Sequence, residues 1–133
     1  MSGALLGPGE WRLAAPFRSA GDRGRLDALL PIDGFGDHAA RVIVVSGVPA
    51  GATRGGHGHR VARQVICAAQ GAFDVEISAT SSRDGAETVR LDADSDVLVA
   101  GPSVWLWLTN FSDDAIAVEL FDHPHDPDEL IAD

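Results

Sequence analysis

The chain of 133 residues has the length of one domain, and its 45% hydrophobic and 23% charged residues are typical of a folded globular protein. A formal net charge of −10 argues against the dense Lys/Arg surface that binds nucleic acid or an anionic membrane. A few arginines suffice for a small anionic ligand. The N-terminus, MSGALLGPGEWR, lacks the pattern of a signal peptide and no apolar stretch is long enough to span a membrane, so we expect a cytoplasmic protein.

The chain contains a single cysteine, Cys67, which excludes an intrachain disulfide and a thiolate zinc site. It lies in the apolar run VICAA, and we expect a buried, inert thiol. No repeat or linker divides the sequence. We therefore predict one domain over residues 1–133, with residues 1–10 loosely held at the terminus.

From residue 41 onward, short apolar runs alternate with turns rich in Gly, Pro and Asp. Runs of this length that are rich in Val and Ile are typical of strands. Between two of them, SSRDGAE places Asp84 and Gly85 in a tight hairpin turn. The runs are RVIVVSG (41–47), VARQVICAA (61–69), AFDVEISA (72–79), ETVRLD (87–92), DVLVA (96–100), SVWLWLT (103–109) and AIAVELF (115–121).

The number and spacing of these runs predict an all-β fold, a sandwich or barrel of antiparallel strands. Only the ending, DPDELIAD, has a helical pattern, which predicts a short C-terminal helix. We expect the acidic tail, DHPHDPDELIAD, to be a solvated end. Its histidines, His123 and His125, follow the last predicted strand in a proline-rich segment.

Two histidines, His57 and His59, lie one residue apart in RGGHGH. In an extended chain they point to the same side, so two imidazoles enter one cavity. The neighbouring glycines remove side chains, as expected where the backbone approaches a ligand. Proton transfer, filling of space and metal binding are all compatible with this pattern, in that order of preference.

The segment from Gly51 to Gly71 has the pattern G-x5-H-x-H-x4-Q-x6-G, which resembles the first motif of the cupin superfamily. The resemblance implies a small antiparallel β-barrel, or jelly roll. Metal-binding cupins carry Glu at the position of Gln64 and a later histidine that GPSVWLWLTNF (101–111) lacks. Two imidazoles and one amide are a poor ligand set, because a catalytic divalent metal usually has three protein ligands or a carboxylate. We therefore expect no metal and no other cofactor.

Several segments together resemble the nucleotide-sugar 3,4-ketoisomerases, the WxcM-like cupins that convert dTDP-4-keto-6-deoxyglucose into its 3-keto isomer. The resemblance implies this isomerase activity on a small-molecule dTDP-sugar, and a homodimer. The segments are DRGRL (22–26), the run from Arg41 through RGGHGH to Gly71, GPSVWLWLTNFS (101–112) and the ending LFDHPHDPDELI.

The residues suit this chemistry, because the neighbouring carbonyl acidifies the C3 proton of a 4-keto sugar and histidine exchanges protons near neutral pH. We expect His59 to be the principal base, with His57 as its acid/base partner. Arg54 is expected to bind the diphosphate or an enediolate, with Arg41 also in the substrate site. Gln64 is expected to hydrogen-bond a sugar hydroxyl or to orient a histidine.

Two tryptophans, Trp105 and Trp107, alternate with apolar residues and therefore share one face of their strand. Stacking on the nucleobase, packing at a dimer interface and ordinary core packing are all compatible with this position. We include both in the expected substrate-binding set.

The sequence departs from the family at several positions. It contains no tyrosine, and Ile43 and Val44 stand in the strand where the family usually carries one. Leu106 replaces a histidine and Arg63 a glutamate, and Pro124-His125 replace the usual tyrosine near the C-terminus. Two alternatives therefore stay open: a metal-independent cyclase or isomerase that acts on a more apolar, non-sugar intermediate, and a cupin that binds a ligand without catalysis.

Overall fold

The computed structural model describes residues 4–131. Its regular structure is almost entirely extended, which confirms the predicted all-β class. The strands are β1 (Trp11–Ala14), β2 (Phe17–Gly21), β3 (Gly24–Ala28), β4 (Arg41–Ser46), β5 (Arg54–His59), β6 (Gln64–Gln70), β7 (Ala72–Ser78), β8 (Glu87–Asp92), β9 (Val97–Ala100), β10 (Trp105–Thr109), β11 (Ile116–Phe121) and β12 (Leu130–Ile131).

Ten of these strands form two antiparallel sheets of five. The first sheet has the order β1-β9-β6-β11-β4 and the second has the order β12-β5-β10-β7-β8. Side chains of both sheets share one apolar core, as in a jelly roll. Strands β2 and β3 form a separate hairpin, which Arg18 ties to the backbone carbonyl of Ser95 at 2.6 Å.

Each apolar run predicted as a strand forms one to within three residues, and Asp84-Gly85 lies in the β7–β8 hairpin with Gly85 at φ +74°. Burial explains the sequence patterns. Strand β7 alternates buried and half-buried residues, because its outer face meets solvent. Strands β6 and β9 read as continuous apolar runs because the first sheet is covered on both faces.

The outer face of the first sheet is covered by the N-terminal segment and by residues 29–35. Leu6 is buried there, and its amide donates to the Gly34 carbonyl at 2.8 Å. Leu6 is therefore packed against the first sheet, and residues 1–3 lie outside the described residues. Cys67 faces the same layer, and its burial raises the pKa of the thiol to about 11.

The predicted C-terminal helix is wrong in extent. A single 3-10 turn, Pro127–Glu129, is the one helical element in the described part of the chain. The chain then extends at once, because Leu130 and Ile131 pair with His59 and Gly58 at the edge of β5. No helix within residues 4–131 has the length and apolar content required to cross a membrane.

The outer side of β5 is packed against a tryptophan. A Cβ atom added to Gly58 would lie 2.7 Å from Cε2 of Trp105, closer than real side chains approach. Trp105 and Trp107 stack at a centroid distance of 6.5 Å on this outer side, and both are buried. Glycine between the two histidines therefore lets the strand lie directly on the indole.

We expect Gly58→Ala to lower the free energy of unfolding by about 1–3 kcal/mol, because the new methyl group overpacks the contact with Trp105. Urea unfolding measures the change. Gly21→Ala on β2 is the matched control, since an added Cβ there has no heavy atom within 4 Å, and its effect should stay within about 0.5 kcal/mol. Equal stabilities for the two variants would contradict the packing argument.

Candidate active site

A cavity of about 480 Å³ opens between the two sheets. The first sheet forms one wall, the second sheet forms the facing wall, and the C-terminal tail contributes at the mouth. The lining residues are Arg41, Ile43, Val45, Gln64, Glu119 and Phe121 from the first sheet, Arg54, Gly55, His57, His59, Leu106, Leu108 and Leu130 from the second, and Thr53 and His125 from connecting segments.

A glycine bulge in β5 aims its side chains into this cavity. The pairing of β5 with β10 shifts by one residue beside Gly55 and Gly56, and both glycines have positive φ, +91° and +87°. Arg54 and His57 are three residues apart and would face opposite sides of a regular strand. The extra residue brings both to the cavity, where they join His59.

The key polar contact of the site joins His59 to the C-terminal tail. Nδ1 of His59 lies 2.8 Å from Oε2 of Glu129, and both side chains are buried. Oε1 of Glu129 accepts from the backbone amides of Val61 at 3.2 Å and Ala62 at 2.8 Å. The carboxylate thus satisfies two amides in the turn that separates β5 from β6, and it fixes the imidazole ring.

This environment keeps Glu129 ionised. Burial raises its pKa, but the hydrogen bonds from His59 and the Ala62 amide outweigh that effect, and the net pKa lies below the ordinary value. An ionised carboxylate only accepts, so the Nδ1 atom of His59 carries the hydrogen of this bond. Nε2 is then the ring nitrogen left to accept a proton from a ligand.

The facing wall presents Arg41, Gln64 and Glu119. The guanidinium of Arg41 lies over the ring of Phe121 at 5.3 Å, and that ring contacts His59 at a centroid distance of 5.2 Å. Burial raises the pKa of Glu119, although the charges of Arg54 and Arg41 partly offset this. The wall therefore combines cationic groups with one carboxyl of raised pKa.

Five of the seven residues predicted for the site line this one cavity: His57, His59, Arg54, Gln64 and Arg41. Trp105 and Trp107 do not, because they alternate with Leu106 and Leu108, whose side chains occupy the inner face of β10. The indoles lie on the outer side of the second sheet instead.

The sequence interpretation missed two residues at this site, Glu119 and Glu129, and it placed His125 in the solvated tail. The alternation in AIAVELF places Glu119 on the same side as Phe121, so the strand pattern already contained this signal. No local pattern identified Glu129, because its contact with His59 spans 70 residues. The expectation that the tail is a solvated end is wrong, since the burial of Glu129 requires the partners that β5 and its following turn provide.

The positions that depart from the family are split between the cavity and its surroundings. Ile43 and Leu106 line the cavity and make it more apolar. Arg63 lies outside it, where its Nε donates to the Leu6 carbonyl at 2.7 Å and its guanidinium pairs with Asp122 at 3.3 Å. Among residues 4–131, no group of three or more His, Cys, Asp or Glu side chains is arranged to hold a metal ion.

The fold and the cavity are those of a small cupin-type β-barrel with a polar site between its sheets. A family model described as "FdtA: WxcM-like, C-terminal" matches residues 20–133. The chain therefore belongs to the WxcM-like C-terminal family, which confirms the family expected from the sequence. A search of curated proteins finds no match to this chain.

Solved structures show the same fold. QdtA, a sugar 3,4-ketoisomerase of Thermoanaerobacterium thermosaccharolyticum in complex with TDP, is 23% identical, with 92% of this chain and 88% of that chain covered and a TM-score of 0.80. The TDP-quinovose 3,4-ketoisomerase WlaRB of Campylobacter jejuni is 22% identical, with 92% of each chain covered and a TM-score of 0.79. The dTDP-4-dehydrorhamnose 3,5-epimerase of Bacillus anthracis is 20% identical, with 91% and 77% covered and a TM-score of 0.71.

We expect Glu129→Gln to lower the free energy of unfolding at pH 7 by about 1–3 kcal/mol, because one amide oxygen cannot serve His59 and two backbone amides. The lowered pKa of Glu129 gives the sign of the pH dependence. The ionised carboxylate adds to the free energy of unfolding at any pH above the ordinary pKa of glutamate. This stabilisation is lost as the pH falls through the lowered pKa of Glu129 in the folded protein.

Urea unfolding at pH 7 and at about pH 3 measures this, and the gap between wild type and Glu129→Gln should narrow at the lower pH. Asp128→Asn is the matched control, because Asp128 is the exposed neighbour of Glu129. A control variant as unstable as Glu129→Gln would contradict a specific role for the buried carboxylate.

Proposed function

We propose that the protein is a metal-independent sugar-nucleotide ketoisomerase that moves the keto group of a dTDP-4-keto-6-deoxyhexose from C4 to C3. The observation that carries the proposal is His59, a buried imidazole oriented by an ionised carboxylate and lining a cavity that also holds two arginines. Membership of the WxcM-like family and the fold shared with QdtA and WlaRB support the same activity.

The proposed chemistry begins at C3. The C4 carbonyl acidifies the C3 proton, and Nε2 of His59 removes it to form an enediolate, in which the proton of O3 is exchanged to O4. The protonated imidazole then returns a proton to C4, so the double bond to oxygen ends at C3. Glu129 stabilises the imidazolium between these steps, because its carboxylate accepts from Nδ1 at 2.8 Å.

The remaining polar residues bind and orient the substrate in this proposal. Arg54 is exposed at the cavity mouth, where a guanidinium contacts the diphosphate without being desolvated. Arg41 lies on the facing wall and assists with charge that develops on the sugar oxygens. His57 relays protons beside His59, and the buried amide of Gln64 hydrogen-bonds a sugar hydroxyl.

The apolar part of the lining favours a second candidate. Ile43, Val45, Leu106 and Leu108 surround the polar groups and offer no hydrogen bonds to sugar hydroxyls. The same histidine pair would then isomerise or cyclise a less oxygenated, non-sugar keto compound. A melting-temperature shift with dTDP supports the nucleotide sugar, whereas a shift with apolar ketones and none with dTDP supports this alternative.

Conversion of dTDP-4-keto-6-deoxyglucose, followed by proton NMR, tests the proposal. We expect the wild-type protein to form the 3-keto isomer and His59→Asn to lower the rate by about 10²–10⁴-fold, because the variant lacks the general base. The dTDP affinity, measured by calorimetry, should be unchanged, since diphosphate binding uses Arg54. His38→Asn is the matched control, because His38 is exposed and outside the cavity, and it should retain the wild-type rate.

An inactive wild-type protein would overturn the ketoisomerase proposal. Full activity of His59→Asn would refute the assigned base. Equal loss of activity and of dTDP affinity in that variant would assign His59 to binding or folding rather than to proton transfer.

A further inference from the structure

We propose that Glu119 is a second catalytic group of this site, a carboxyl that moves the oxygen-bound proton of the keto sugar while His59 moves the carbon-bound proton. The inference rests on the proposed ketoisomerase function and assigns to it a residue that the sequence interpretation did not single out.

The placement of Glu119 opposite His59 is the first argument. Glu119 lies on β11 in the first sheet and His59 lies on β5 in the second, and both line the cavity. Phe121 is two residues further along β11, and its ring contacts His59 at a centroid distance of 5.2 Å. Two residues of a strand span about 6.6 Å and point to the same side, so Glu119 lies next to Phe121 on the cavity side of β11, in the wall that faces β5.

The second argument is that Glu119 has no structural task in the fold. No group within residues 4–131 hydrogen-bonds its carboxyl, although burial dominates the environment of this side chain. Glu119 is half-buried and its carboxyl lines the cavity, so its two oxygens are available to a bound ligand. Its pKa is raised by burial, which favours the protonated form that donates a hydrogen bond.

The third argument is chemical need. The reaction requires a group that protonates one sugar oxygen and deprotonates the next, in addition to the base at carbon. The chain contains no tyrosine, and Cys67 lies on the outer side of the first sheet. Among the described residues that line the cavity, Glu119 is the one carboxyl.

The proton balance closes with these two residues. In the first half, His59 takes the proton from C3 and the Glu119 carboxyl gives its proton to O4, which forms the neutral enediol. In the second half, the Glu119 carboxylate takes the proton from O3 while the His59 imidazolium gives one to C4. The C3–H and O3–H bonds are broken, the C4–H and O4–H bonds are formed, and both residues return to their starting states.

The shape of a carboxyl group fits this exchange. Its two oxygens are close together, so one donates to O4 while the other accepts from O3 on the adjacent carbon. Substrate binding also favours the protonated form of the Glu119 carboxyl. The charge of Arg54 lowers the pKa of Glu119, and a diphosphate bound to Arg54 neutralises that charge.

The test compares Glu119→Gln with the wild-type protein in the conversion of dTDP-4-keto-6-deoxyglucose. We expect the turnover rate to fall by about 10²–10⁴-fold, because the amide is nearly the same shape but does not exchange the proton. The dTDP affinity should remain within about twofold, since Glu119 is not assigned to the diphosphate. Glu87→Gln on β8 is the matched control, because Glu87 is exposed and outside the cavity, and it should have the wild-type rate.

The pH profile adds a readout that a structural role would not change. The charged or titratable groups around Glu119 are Arg41 on β4, Arg54, His57 and His59 on β5, and His125 in the tail. The wild-type rate should fall on the alkaline side as Glu119 loses the proton it donates. The residual rate of Glu119→Gln should lack this alkaline fall.

Wild-type turnover that Glu119→Gln reduces by less than about threefold would overturn the role of Glu119 and leave the ketoisomerase proposal intact. A Glu119→Gln rate that still falls at alkaline pH as the wild-type rate does would also overturn the role of Glu119. A wild-type protein that does not convert the sugar would overturn both proposals together, so the two failures are distinguishable.

Discussion

The buried contact between His59 and Glu129 is the constraint on which the site depends. An ionised carboxylate inside the protein requires strong donors, and here the donors are one imidazole and the two amides of Val61 and Ala62. To reach them, the tail must cross the mouth of the barrel and add β12 to the edge of β5. The same contact therefore orders the chain end, shapes the turn before β6 and sets the ring orientation of the proposed base.

The two sheets divide the chemistry between them. The second sheet holds the histidines, which the glycine bulge turns inward and which Trp105 supports from behind. The first sheet holds Glu119 among apolar neighbours that raise its pKa. A substrate between the walls would therefore meet a base with a fixed free nitrogen on one side and a carboxyl of raised pKa on the other. The barrel separates groups that would neutralise each other if they were adjacent.

Local sequence patterns predicted most of the architecture and part of the site. Strands β4 and β6–β11 followed from short apolar runs, and the spacing of His57 and His59 predicted a shared cavity. Strands β1–β3 carried no such runs, and they form because they pair with β9 or with each other. Alternation along β10 showed that Trp105 and Trp107 share one face of the strand, but it did not show which face lines the cavity. In the structure the two indoles lie on the outer side. The contact of Glu129 with His59 could not be predicted from the sequence, because only the folded chain brings the tail to β5.

The most direct test of proton transfer between C3 and C4 is the reaction of dTDP-4-keto-6-deoxyglucose with the wild-type protein in D2O. The related fold of the 3,5-epimerase makes the exchange pattern around the ring informative. We expect NMR to show loss of the C3 proton and growth of the 3-keto product. Any deuterium taken up from the solvent should appear at C4 only, and the proton at C5 should be unchanged. Deuterium at C5, a product that keeps its C4 ketone, or a spectrum without change would contradict the account.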